Sequence, residues 1–113
     1  MINRKDTIMI PISLIERVSG EYAEKFAINR TGDYFLLKLP EEVGELVQVH
    51  MQLSGMGRKK GKTQGELEQQ FSHEIADLLC HIILLALYHN VDIEKAIKDK
   101  WLKHLGEGED DSC

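Results

Sequence analysis

Pro40-Glu41-Glu42-Val43-Gly44-Glu45 and Glu74-Ile75-Ala76-Asp77 are the two stretches around which this chain is organised. Between them lies a basic, glycine-bearing segment, Gly55-Met56-Gly57-Arg58-Lys59-Lys60-Gly61-Lys62-Thr63-Gln64-Gly65. On a helix, Glu42 and Glu45 share a face, and so do Glu74 and Asp77. Two helices joined by a short loop pack antiparallel, which brings four carboxylates to one place. Such charges repel unless they are protonated or matched by a cation. An all-oxygen donor set favours hard cations, Mg2+ first and Mn2+ second. A single surface glutamate is ordinarily just solvated. Here Val43, Leu46, Ile75 and Leu78 place the acids at the edges of apolar stripes rather than on the far polar faces.

Glu-Glu-x-x-Glu, then a gap, then Glu-x-x-Asp followed by an apolar run resembles the all-alpha nucleoside triphosphate pyrophosphohydrolase superfamily. The wording Lys38-Leu39-Pro40-Glu41-Glu42-Val43-Gly44-Glu45-Leu46 is most similar to its MazG-like branch, over about residues 34–104. The resemblance implies an all-α, four-helix MazG-like bundle completed by dimerisation. It implies hydrolysis of a nucleotide between its α and β phosphates with Mg2+, or Mn2+ in its place. Glu42, Glu45, Glu74 and Asp77 become metal ligands, in agreement with the geometric reading. Bound metal would bridge phosphate oxygens, generate hydroxide and stabilise developing charge. Glu41 is the candidate catalytic residue that orients or deprotonates water, although it points about 100° off the ligand face. Lys38, one turn before Glu42, is placed to contact phosphate or to pair with Glu42. The family pattern continues with a lysine, an asparagine four later and an arginine three after that. Lys100 matches and is a substrate-contact candidate, whereas His104 and Glu107 depart from the pattern.

Working outward, Leu78 to Tyr88 is apolar on nearly every side, so the helix carrying it, about Gly65 to His89, demands burial all round. The other helices of a short chain cannot cover it, which implies a homodimer or homotetramer. A second helix is expected from about Tyr34 to Leu53, with Asp33 as N-cap and a kink near Leu36 to Pro40. Ser13-Leu14-Ile15-Glu16 reads as a capping box opening a first helix to about Asn29. Ahead of it, Thr7 to Pro11 reads as extended. Asn90 suits a left-handed stop, and Asp92 caps a fourth helix, Ile93 to about Leu105. The inner face of that helix would carry Ile93, Ile97, Trp101 and Leu105.

Arg58, Lys59 and Lys62 read either as an electrostatic lip that attracts triphosphate or as part of a solvated, mobile loop. Gly61-Lys62-Thr63 is not a phosphate loop, because Met56 stands where that motif needs glycine and no strand precedes it. Tyr22 and Phe26 are the candidates to stack on a base. His73, Asp77 and His81 are spaced for Zn2+ but lack a further ligand nearby. The Glu-x-x-His pairs of di-iron bundles are missing, since Gln48 and Asp77 occupy the places of the imidazoles.

At 113 residues the chain is one domain, with a core over about 13–105 and an acidic tail, 106–113, expected to be disordered. The composition, 42% hydrophobic and 29% charged, is that of an ordinary soluble protein. A net charge of −5 argues against binding a nucleic-acid polymer. Two cysteines make no disulfide framework, and no basic-then-apolar leader opens the sequence, so cytoplasm is the expected location. The apolar run is too short to span a bilayer, and no membrane partner is expected. Glu74 to His81 also looks like phosphoribosyl-ATP pyrophosphohydrolase, a second enzymatic reading. A non-catalytic nucleotide-binding bundle is the third.

Overall fold

The computed structural model describes residues 8–105. Four helices follow one another and no strand forms among the described residues: α1 (Ile12–Lys25), α2 (Tyr34–Leu53), α3 (Gln64–Tyr88) and α4 (Ile93–Lys100), the last followed by a 3-10 turn over Leu102–His104. The fold is thus all-α.

α2 and α3 form an antiparallel hairpin, which ring contacts at both ends fix. Phe35 at the start of α2 meets Tyr88 at the end of α3 at 4.9 Å, and His50 near the end of α2 meets Phe71 at 6.2 Å. Val49 and Leu67 are fully buried near the loop end, and Phe35, Leu84 and Ala86 are buried at the other. α1 leans on α3 and buries Ala23. α2 runs without interruption through Pro40, whose ring nitrogen has no hydrogen to give the Leu36 carbonyl one turn back.

Three helix ends share one device. After α2, Gly55 (φ 81°) lets Met56 N–H reach the Met51 carbonyl at 2.9 Å. After α3, Asn90 (φ 56°) lets Val91 N–H reach Ala86 at 2.8 Å. After α1, Ala27 (φ 53°) lets Ile28 N–H reach Ala23 at 2.8 Å. This last stop ends α1 at Lys25, four residues short of the expected Asn29. Alanine in a left-handed conformation carries a steric cost that glycine does not, so its composition gave no sign of a stop.

The helix starts bring further corrections. The expected Ser13–Glu16 capping box is absent, because α1 opens two residues earlier, with Pro11 rather than Ser13 at the N-cap and no side-chain cap. Asp33 holds the N-cap position of α2 but makes no capping hydrogen bond. The capping box belongs to α3. Glu66 N–H donates to Thr63 Oγ1 at 3.1 Å, and Thr63 N–H donates to Glu66 Oε1 at 2.8 Å. Those bonds, the backbone one first, hold the Glu66 carboxyl below its ordinary pKa. Asp92 caps α4 as expected, accepting from Lys95 N–H at 3.0 Å.

α4 stops at Lys100, five residues before the expected Leu105. Its supposed inner face is not inside. Ile97 (48% exposed), Trp101 (53%) and Leu105 (77%) face open space in the single chain, and only Ile93 reaches a groove beside Leu36, Ile82 and Leu85. Nor is α3 buried all round, since Ile75, Leu79 and Ile82 are exposed. Ile8 to Ile10 are exposed and belong to neither helix nor strand. Thr7 and the acidic tail lie outside the described residues. α3 is long and apolar enough to cross a membrane by length and composition alone, but Glu74 and Asp77 lie within it.

Candidate metal centre

α2 supplies Lys38, Glu41, Glu42 and Glu45, and the antiparallel α3 supplies Glu74, Asp77 and His81. The crossing brings one carboxylate oxygen from each of Glu42, Glu45 and Glu74 within 4.8 Å of one another. Glu42 lies deepest, only 6% exposed, while Glu45 is exposed and Glu74 is half-buried. Asp77 stands outside this trio and is exposed. Its charge is nevertheless felt by both Glu42 and Glu74, and it lines the same cavity as Glu42.

The Glu42 carboxylate is only half satisfied. Oε1 lies 3.4 Å from His81 Nε2 and 3.9 Å from Lys38 Nζ. Oε2 is buried with no hydrogen-bond partner among the described residues, and so is His81 Nδ1. A buried carboxylate oxygen without a donor is costly. Burial and then the neighbouring Glu45, with a lesser push from Asp77, raise the Glu42 pKa to about 7. Burial and the shared hydrogen bond with Glu45 likewise push Glu74 up. Burial, followed by the Lys38 charge, pushes His81 down, towards the neutral imidazole. Partial burial opposes the charge on Lys38, but the hydrogen bond and charge of Glu41 outweigh it and raise its pKa. Three acids crowded at one point, one of them buried with a free oxygen, fit the donor set of a hard divalent cation.

Glu41 is exposed and accepts from Lys38 Nζ at 3.2 Å, so Lys38 bridges Glu41 and Glu42. That makes Lys38 a clamp on the first acidic motif as well as a wall of the cavity. The cavity, about 620 Å3, opens between α1 and the α2–α3 hairpin. Leu14, Ile15, Val18 and Tyr22 of α1 form its apolar side, and Lys38, Glu42, Asp77 and His81 form its polar side. Tyr22 therefore shares a cavity with Glu42. Phe26 does not line the cavity, but packs against the Tyr22 ring at 4.6 Å.

The basic loop goes elsewhere. Arg58 lines a separate cavity of about 410 Å3 with Gly44, Gln48, Gln52 and Lys60, and its carbonyl accepts from Gln52 Nε2 at 2.7 Å. Lys59 is exposed in the loop, and Lys62 Nζ donates to Gln70 Oε1 at 2.6 Å. Lys100 ends α4, exposed and outside both cavities. His73 is exposed, and among the described residues the convergent group suited to a metal is the glutamate trio rather than His73, Asp77 and His81.

Arg30, Ser19, Tyr34 and Cys80 also line the large cavity. Sequence reasoning missed Arg30, because it lies in an irregular connection where no periodicity gives a side chain a face. Gly20, one residue from Ser19, was the only local hint of a close approach. A Cβ there would lie 3.6 Å from Arg30 Nη2. No family model, no curated protein and no solved structure matches this chain, so its two acidic motifs and their convergence carry the functional reading by themselves.

Proposed function

We propose that the chain is a Mg2+-dependent pyrophosphohydrolase of the MazG-like kind. It would cleave a nucleoside or deoxynucleoside triphosphate between the α and β phosphates, giving the monophosphate and pyrophosphate. The observation that carries the reading is the buried Glu42 carboxylate, whose Oε2 has no partner among the described residues while Glu45 and Glu74 offer oxygens within 4.8 Å. Glu42, Glu45 and Glu74 would hold the cation, with Asp77 completing the set. Mn2+ suits the same oxygens.

Bound there, the metal supplies charge neutralisation at phosphate and a lower pKa for the attacking water. The chain supplies the rest. Lys38 offers a cation at the cavity wall for a phosphate oxygen. Glu41, exposed beside the trio, is the residue that accepts a proton from water, once Lys38 exchanges it for phosphate. His81 fixes the Glu42 carboxylate from α3. Tyr22 and the apolar side of α1 exclude water and offer a ring face to the base. Arg58, Lys59 and Lys62 act at longer range, drawing a polyanion towards an acidic centre.

The unit is a homo-oligomer in this proposal. Ile75, Leu79 and Ile82 recur at helical spacing along α3 and are exposed, as are Leu36 and Val43 of α2, and such a stripe is what a second copy covers.

The test is pyrophosphate release from a panel of nucleoside and deoxynucleoside triphosphates, with Mg2+ and with chelator. Metal-dependent release from one or a few members supports the proposal. Release from phosphoribosyl-ATP alone transfers the activity to that substrate. Silence on every substrate from a folded protein leaves a nucleotide-binding bundle.

A further inference from the structure

Arg30 is the one guanidinium on the wall of the large cavity among the described residues, and it is held from two sides. Its Nη1 donates to Ser19 Oγ at 2.8 Å on α1, and its guanidinium carbon lies 5.4 Å from the centre of the Phe35 ring on α2. Seven residues separate Phe35 from Glu42 along α2, which is about 10 Å along the helix axis. The antiparallel α3 gives the same order, with Leu84 at the Arg30 end and Asp77 at the acidic end. The cavity therefore has carboxylates at one end and a tethered donor at the other, about as far apart as the reacting phosphate and the base of a nucleotide.

Resting on the pyrophosphohydrolase reading, we infer that Arg30 selects the nucleobase, favouring keto bases, guanine foremost and uracil next, over adenine and cytosine. A guanidinium has five N–H donors and no acceptor, and the bond to Ser19 uses only one. In this cavity the side chains beside it, Ser19 and Tyr34, are hydroxyls, and Glu42 and Asp77 lie at the far end, while Glu16 adjoins Arg30 in a separate, smaller cavity with Phe35 and Leu84. Guanine presents O6 and N7 as adjacent acceptors to such a fork, and uracil presents O4. Adenine and cytosine put an amino donor where guanine and uracil put that oxygen, so the fork loses an acceptor and meets a donor instead. The Ser19 bond and the Phe35 ring hold the plane of the fork, so orientation does not have to be bought from the substrate.

The test is equilibrium binding of GTP, UTP, ATP and CTP with Ca2+ replacing Mg2+, alongside pyrophosphate release with Mg2+. GTP and UTP are expected to bind about 10-fold or more tightly than ATP and CTP. Arg30→Gln is expected to erase the difference by weakening the first pair and leaving the second. Equal binding of all four, or a preference that survives in folded R30Q, overturns the inference. If R30Q loses its helical circular dichroism, Ser19→Ala, which only unties the guanidinium, must blunt the preference for the inference to stand. Base-selective binding without pyrophosphate release upholds Arg30 and overturns the hydrolase. Release without base preference does the reverse, and no binding at all overturns both.

Discussion

His81 Nε2 on α3 lies 3.4 Å from Glu42 Oε1 on α2, while the other oxygen of that carboxylate and the other nitrogen of that ring are buried without partners. The pair joins the two long helices at the acidic centre. It also leaves the deepest acid with one oxygen that no donor among the described residues reaches.

Glu42→Gln separates function from stability. The amide keeps the shape and removes a buried charge, so pyrophosphate release is expected to be lost while the metal-free protein becomes more stable. At pH 8 the gain should be about 1–3 kcal/mol, since each unit of pKa displacement is worth about 1.4 kcal/mol. Urea titration reads it, and a less stable variant at that pH would show that the buried charge is not a cost.

The same group gives stability a defined pH dependence. The Glu42 pKa is about 7 in the fold against 4.5 for the free side chain. Between those values the folded state holds a proton that the unfolded chain has released, so the contribution is fully present below 4.5 and is lost as pH rises to about 7. Without divalent ions the melting temperature should therefore fall from pH 5.5 to 8. Added Mg2+ competes with that proton, and should raise the melting temperature more at pH 8 than at pH 6.

Glu45→Gln and Asp77→Asn should differ. Glu45 belongs to the trio within 4.8 Å, and its loss is expected to take activity below detection. Asp77 stands outside that trio, and its amide should raise the Mg2+ concentration for half-maximal activity by about 10–100-fold. Unimpaired activity in both variants, with helical content intact, would end the metal-centre reading.

Ala27→Gly should stabilise the fold by about 1 kcal/mol, because Ala27 holds φ 53° at the stop of α1 where Gly55 and Asn90 serve the other two helices. Chemical denaturation tests this independently of activity.

Sedimentation should show a dimer or tetramer, and Ile82→Glu, a charge in the exposed α3 stripe, should shift it to monomer with its helices retained. A wild-type monomer at all concentrations would remove the oligomer from the proposal.

Much of this was legible along the chain. Glu42, Glu45 and Glu74 fall on matching faces by helical period alone, and Asn90 and Asp92 end and begin helices by their own chemistry. The signals that misled were local ones with two readings. Ser13 and Glu16 have the capping-box spacing, but so do Thr63 and Glu66, and only the second pair lies at a helix start. Ala27 stops a helix against its own propensity, because the tertiary turn requires it. Glycines and four basic residues drew attention to the 55–65 loop, yet Arg58 and Lys60 line a different cavity from Glu42.

The sequence by itself determined the helices, the antiparallel hairpin and the acids that meet across it, because hydrophobic period and residue spacing are properties of a helix before it packs. Only the tertiary structure decided that Glu42 is buried with an oxygen no described donor reaches, that His81 lies beside it, that Asp77 stands outside the closest trio and that Arg30 lines the large cavity. Burial and partnership are set by how helices cross and where connections lie, and no residue carries that information in its own neighbourhood of sequence.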